Sequence, residues 1–116
     1  MGYKRKYPRI PLSGLALMKI LETNAQISGP IELISRGGIG IYTKENIRKG
    51  ARVSLRIYFD TGTSVHEYTL LGTVRTEEKQ KEFGSVGIQF DREVNSTDHP
   101  QLYHFLLSKE KSAKEG

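Results

Sequence analysis

The chain reads as an all-β domain, six short strands in a small antiparallel barrel or sandwich, followed by one C-terminal helix. Residues 51–59, ARVSLRIYF, place Ala51, Val53, Leu55, Ile57 and Phe59 on one face and Arg52, Ser54 and Arg56 on the other. That alternation marks a half-buried strand. Turn-forming clusters (TNA, RGG, RKG, DTGT and the charged EEKQKE) punctuate the chain at short intervals. Near the C-terminus the period changes: Leu102, Phe105 and Leu106 fall at i, i+3 and i+4, an apolar helical stripe.

Taken in order, the first element is a basic arm over residues 1–11. Lys4, Arg5, Lys6 and Arg9 meet no acid before Glu22, and Pro8 and Pro11 disfavour regular helix, so an extended, flexible segment is expected. Strands are expected over Leu15–Leu21, Gln26–Ile34, Ile39–Thr43, residues 51–59, Glu67–Thr76 and Phe83–Phe90, with Val86, Ile88 and Phe90 sharing a face. Pro100 suits a first helical turn, and Ser96, Thr97 or Asp98 is the expected cap. A helix this short needs packing, so it is placed across the barrel. The organisation is therefore an arm (1–11), one folded unit (12–110) and a tail (111–116).

A chain of 116 residues fits one domain with a single modest core. It has no cysteine, which removes disulfides and thiolate metal sites. No apolar run approaches bilayer-spanning length, and the basic N-terminus lacks the apolar stretch of a signal peptide, so a cytoplasmic location without membrane insertion is expected. The net charge of +5 and pI near 9.5 favour an anionic partner, whether nucleic acid, nucleotide or acidic surface.

Catalytic and metal patterns are absent. His99 and His104 are five apart and do not share a helical face, and His66 is remote from both. Glu77–Glu78 falls in a charged turn, and adjacent strand residues would point apart in any case. GGIG lacks the Gly-Lys-Ser/Thr of a phosphate loop, and Thr43 stands where a dinucleotide fingerprint needs glycine. No metal, redox cofactor or enzymatic activity is expected.

Two segments carry binding chemistry. Arg5 and Arg9, four apart, project to one side, and guanidinium forks suit phosphate oxygens or guanine edges. Ser35 offers a hydroxyl that donates and accepts, while Gly37 and Gly38 permit unusual backbone angles and close approach of a ligand. Each alone reads as a solvated tail or a turn. Together, R-x-x-x-R in Arg5-Lys-Tyr-Pro-Arg9 and S-x-x-G in Ser35-Arg-Gly-Gly38 resemble the PilZ family, bacterial receptor domains for cyclic di-GMP. GGIGIYTKENIRKGARVSLRI and FGSVGIQF resemble its third, fourth and closing strands.

The resemblance implies a six-stranded antiparallel PilZ-type β-barrel with a C-terminal α-helix. It implies that Arg5 and Arg9 hold phosphates and guanine edges, and that Ser35 and Gly38 lie beneath a guanine. Lys4 would influence whether one ligand or a stacked pair binds, and Arg75 is a further candidate contact. The family pattern, (D/N)xSxxG, is degenerate here, because Leu33 stands at the acid or amide position and cannot accept guanine N–H donors. Glu32 is adjacent but would face the other way in a regular strand. The resulting expectation is a cyclic di-GMP receptor or adaptor for motility, biofilm or pilus-type outputs, with an unidentified downstream protein partner. The alternatives are a degenerate module that binds only protein and, ranked below it, a basic barrel that stacks single-stranded nucleic acid on Tyr42, Tyr58 and Tyr68.

Overall fold

The computed structural model describes residues 7–60, 62, 64–79 and 84–115. Its elements are β1 (Ile10–Pro11), β2 (Gly14–Ile20), β3 (Gln26–Ile34), β4 (Gly38–Tyr42), β5 (Arg52–Asp60), β6 (Val65–Lys79), β7 (Gly84–Phe90) and α1 (Pro100–Glu115). The strand order is β1-β3-β2-β5-β6-β7-β4, and a further β3–β4 pairing closes the sheet on itself. Strands β2 to β7 thus form a six-stranded antiparallel barrel, with β1 as an extra strand against β3.

The alternation read from residues 51–59 is realised in β5. Val53, Leu55, Ile57 and Phe59 are essentially inaccessible, and they meet Ala16, Met18, Ile41, Val74 and Val86 in one interior. Each such side chain contributes about 1.5–3 kcal/mol through burial, which holds every strand to one register. Leu102 and Leu106 of α1 complete this core, with Phe105 packed partly against it.

Three local expectations change. β6 continues to Lys79 because Glu77, Glu78 and Lys79 pair with Val86, Ser85 and Gly84, so the charged stretch read as a turn is a hairpin strand up to that point. The turn before α1 is capped by Asn95, whose Oδ1 accepts from the N–H groups of Thr97 and Asp98. The first N–H of the helix itself, that of Gln101, donates to Tyr68 Oη and not to Ser96, Thr97 or Asp98. The helix also runs to Glu115 and takes in much of the segment read as a tail.

His99, at the entry to α1, is buried against Tyr68, whose ring it meets edge-on at 5.4 Å. Its Nδ1 accepts from the Asn95 N–H, which requires an unprotonated nitrogen. Burial lowers its pKa below the ordinary 6.5, with Asp98 opposing and Arg92 assisting. The folded state therefore holds the neutral ring while the unfolded chain takes up the proton more readily. The stability from this group is complete above pH 6.5 and is lost as pH falls below it. Melting temperature should drop between about pH 7.5 and about pH 5, and His99→Gln should flatten that dependence.

Candidate functional site

Strand β1 joins the two sequence segments. Ile10 pairs with Ile34 and Pro11 with Leu33, and Ile10 is anchored in the core. Extending this antiparallel register by one residue sets Arg9 opposite Ser35. Arg9 is exposed and has no hydrogen-bond or ion-pair partner among the described residues. Its guanidinium is available at the edge of the Ser35–Gly38 turn.

That turn is tightly organised. The Ser35 N–H donates to Gly38 O at 2.8 Å, and Ser35 Oγ accepts from the Gly37 N–H at 3.2 Å. The carbonyls of Arg36 and Gly37 accept from Val94 and Phe90, which ties the turn to the segment leading into α1. Neither Gly37 nor Gly38 has positive φ, so unusual backbone angles are not what these positions require. A β-carbon on Gly38 would sit 2.5 Å from Ile88 O, a steric demand for glycine.

Beside the turn lies a floor built by two bulges. In β3 the register shifts between Ile31, paired with Ile41, and Leu33, paired with Gly40. Ile31 and Ile34 both point into the core, which leaves Glu32 and Leu33 together, half-buried, outside it. A bulge puts two residues against one and carries their side chains to the same side. The expectation that Glu32 faces away from Leu33 is thus corrected. In β6 the register shifts between Val74 and Thr76, placing Arg75 on the exposed side. Between the bulges, Gly40 pairs with Gly87, and Gly87 with Thr76. The outer surface of β4 and β7 is accordingly a strip without side chains at these positions, flanked by Glu32 and Leu33 on one side and Arg75 and Thr76 on the other. Arg75 Nε donates to Gln89 Oε1 at 2.7 Å, which steers its guanidinium along β7.

Arg36, inside the turn, reaches the other way. Its Nε and Nη2 donate to Glu110 of α1 at 2.9 and 2.8 Å, a two-point clamp on a buried carboxylate. The Tyr7 ring covers the guanidinium at 4.3 Å, and Tyr7 Oη donates to Glu93. The hydrogen bond with Glu110, partly offset by burial and supported by the Glu110 charge, raises the Arg36 pKa. Arm, turn and helix are thus joined through one side chain.

The structure brings Arg9, Ser35, Gly38 and Arg75 onto one region of the barrel. Lys4 and Arg5 lie outside the described residues. Within the predicted arm, Tyr7, Ile10 and Pro11 are fastened to the barrel by the contacts above. Tyr68 does not serve as an open stacking platform: it packs on Phe59 and His99, and its hydroxyl bonds to Gln101. Among the described residues no group of His, Asp or Glu could hold a metal ion, and no helix is long and apolar enough to cross a membrane. An open depression lined by Tyr68, Asp91, Arg92 and His99 includes none of the motif residues. Glu32, Arg36, Tyr7 and Glu110 were not legible as site residues. The glycines at outward strand positions 40 and 87 were the available signal, since glycine inside a strand marks a bulge or a close approach.

Fold and site together define a class, a small closed barrel whose N-terminal arm adds a strand beside a serine–glycine turn. The chain belongs to the PilZ domain family, whose model matches residues 3–108. Among solved structures it is similar to the inhibitor of motility MotI/DgrA of Bacillus subtilis (TM-score 0.72, 15% identity, covering 93% of this chain and 52% of that one). It is also similar to the PilZ domain of Escherichia coli YcgR with c-di-GMP (TM-score 0.67, 19% identity, 97% and 96% covered). A third is the MrkH–c-di-GMP complex of K. pneumonia (TM-score 0.70, 18% identity, 99% and 56% covered). The chain spans about half the length of MotI/DgrA and MrkH. The comparison with curated proteins yields no match.

Proposed function

We propose that this domain is a receptor or adaptor for cyclic di-GMP, a binding module rather than a catalyst. The observation that carries the reading is the β1–β3 register, which delivers Arg9 to the Ser35–Gly38 turn. Two similar structures hold c-di-GMP, and the glycine strip, with Arg75 at its edge, offers a surface for a guanine and its phosphates. Arg5 and Lys4, just ahead of the described residues, would complete the grip. Movement of the arm on binding would act on Tyr7, and through Arg36 and Glu110 on α1, altering a surface presented to a downstream protein.

A second reading, a module that binds only protein, draws on Leu33 and on the exposed Leu15 and Leu17 of β2, an apolar surface away from the turn. Titration calorimetry with cyclic di-GMP, with GTP and a single-stranded oligonucleotide as controls, separates the two. Saturable heat with cyclic di-GMP alone supports the receptor; no heat from a well-folded protein supports the protein-only module.

A further inference from the structure

We infer that Glu32 replaces the missing acid or amide at position 33 and reads the guanine edge. The inference rests on the receptor reading above and goes beyond it to a residue that the motif does not include. The β3 bulge turns the Glu32 side chain out of the core and onto the face occupied by Leu33. From there it lies across Gly40: a side chain on Gly40 would begin 3.1 Å from Glu32 Oε1 and 3.8 Å from its Cβ. The carboxylate is half-buried and has no hydrogen-bond or ion-pair partner among the described residues, so its acceptor capacity is unspent.

Its setting explains what it would bind. The neighbouring ligand-facing groups, Arg9 and Arg75, are cationic and suit phosphates. A lone carboxylate among them repels a phosphate and weakens binding unless it meets a donor. Guanine supplies two parallel donors, the ring N1–H and the exocyclic amine, and a carboxylate can accept both at once. Leu33, on the same face, can then serve as an apolar wall against the base. Hypoxanthine, which lacks the exocyclic amine, would keep only one of the two bonds.

The test uses the full chain, with cyclic di-GMP and its hypoxanthine analogue cyclic di-IMP as ligands. Calorimetry of the parent comes first: a folded parent that binds neither ligand overturns the receptor reading, and this inference with it. If the parent binds, Glu32→Gln, which keeps the side-chain volume, and Glu32→Ala should each weaken cyclic di-GMP binding by about 10- to 100-fold. Melting temperature should stay near the parent's, because no bond to a described residue is lost. The parent's preference for cyclic di-GMP over cyclic di-IMP should collapse in both variants. Adding Leu33→Asn to Glu32→Ala should restore part of the affinity and of the preference, since position 33 shares the face. Variants that bind both ligands as the parent does would overturn the inference and leave the receptor reading standing.

Discussion

Replacing Arg36 with alanine should destabilise the domain by about 3 kcal/mol, because it leaves the buried Glu110 carboxylate without its two-point partner. For a chain of this size that corresponds to a fall in melting temperature of about 10 °C. Loss of the ring contact with Tyr7 adds to the effect. The cost arises from the stranded charge rather than from the strength of the ion pair, since a buried pair offsets much of its own attraction by desolvation. A double replacement, Arg36→Leu with Glu110→Leu, should therefore recover most of the lost stability. Thermal melts of parent, single and double variants check this. A single variant that melts with the parent would show that the clamp contributes nothing.

Replacing Arg9 with alanine should weaken cyclic di-GMP binding by about 1.5–3 kcal/mol, the scale of charge-assisted hydrogen bonds. That is about 10- to 150-fold in affinity. Stability without ligand should hardly change, because Arg9 is exposed and has no partner among the described residues. The loss should shrink as salt rises, since part of it is screened attraction between charges. Calorimetry at low and high salt measures both effects, and an Arg9 variant that binds like the parent would remove Arg9 from the site.

The two largest expected effects come from residues that differ in how visible they are in the chain. Arg9 stands out locally, four residues from Arg5 in a run without acids. Arg36 does not, because its partner Glu110 lies 74 residues away and only the packing of α1 against the barrel brings them together. The same division runs through the fold. Alternation in β5, the turn signals and the apolar stripe of α1 are short-range patterns, each dictated by the geometry of one element, and they carried the all-β class and the helix directly, while closure into a barrel rather than a sandwich came with the family resemblance. Strand ends were less legible: β6 outran its expected limit because pairing with β7, not local polarity, sets where a strand stops.

At the site, Ser35 and Gly38 could be picked out from residue type and spacing, whereas Arg75 entered only through the resemblance to the PilZ family. What the linear pattern could not contain was register. Strand β1 has two residues, too few for any periodicity, yet its pairing with β3 is what sets Arg9 beside Ser35. A regular strand would send Glu32 and Leu33 to opposite faces, and strict alternation in the sequence argues for that. The bulge opposite Gly40 overrides it, because Ile31 and Ile34 must both enter the core and the extra residue between them has nowhere to go but out. That choice depends on the partner strands and the interior they enclose, and it places an acid where the local pattern shows only leucine.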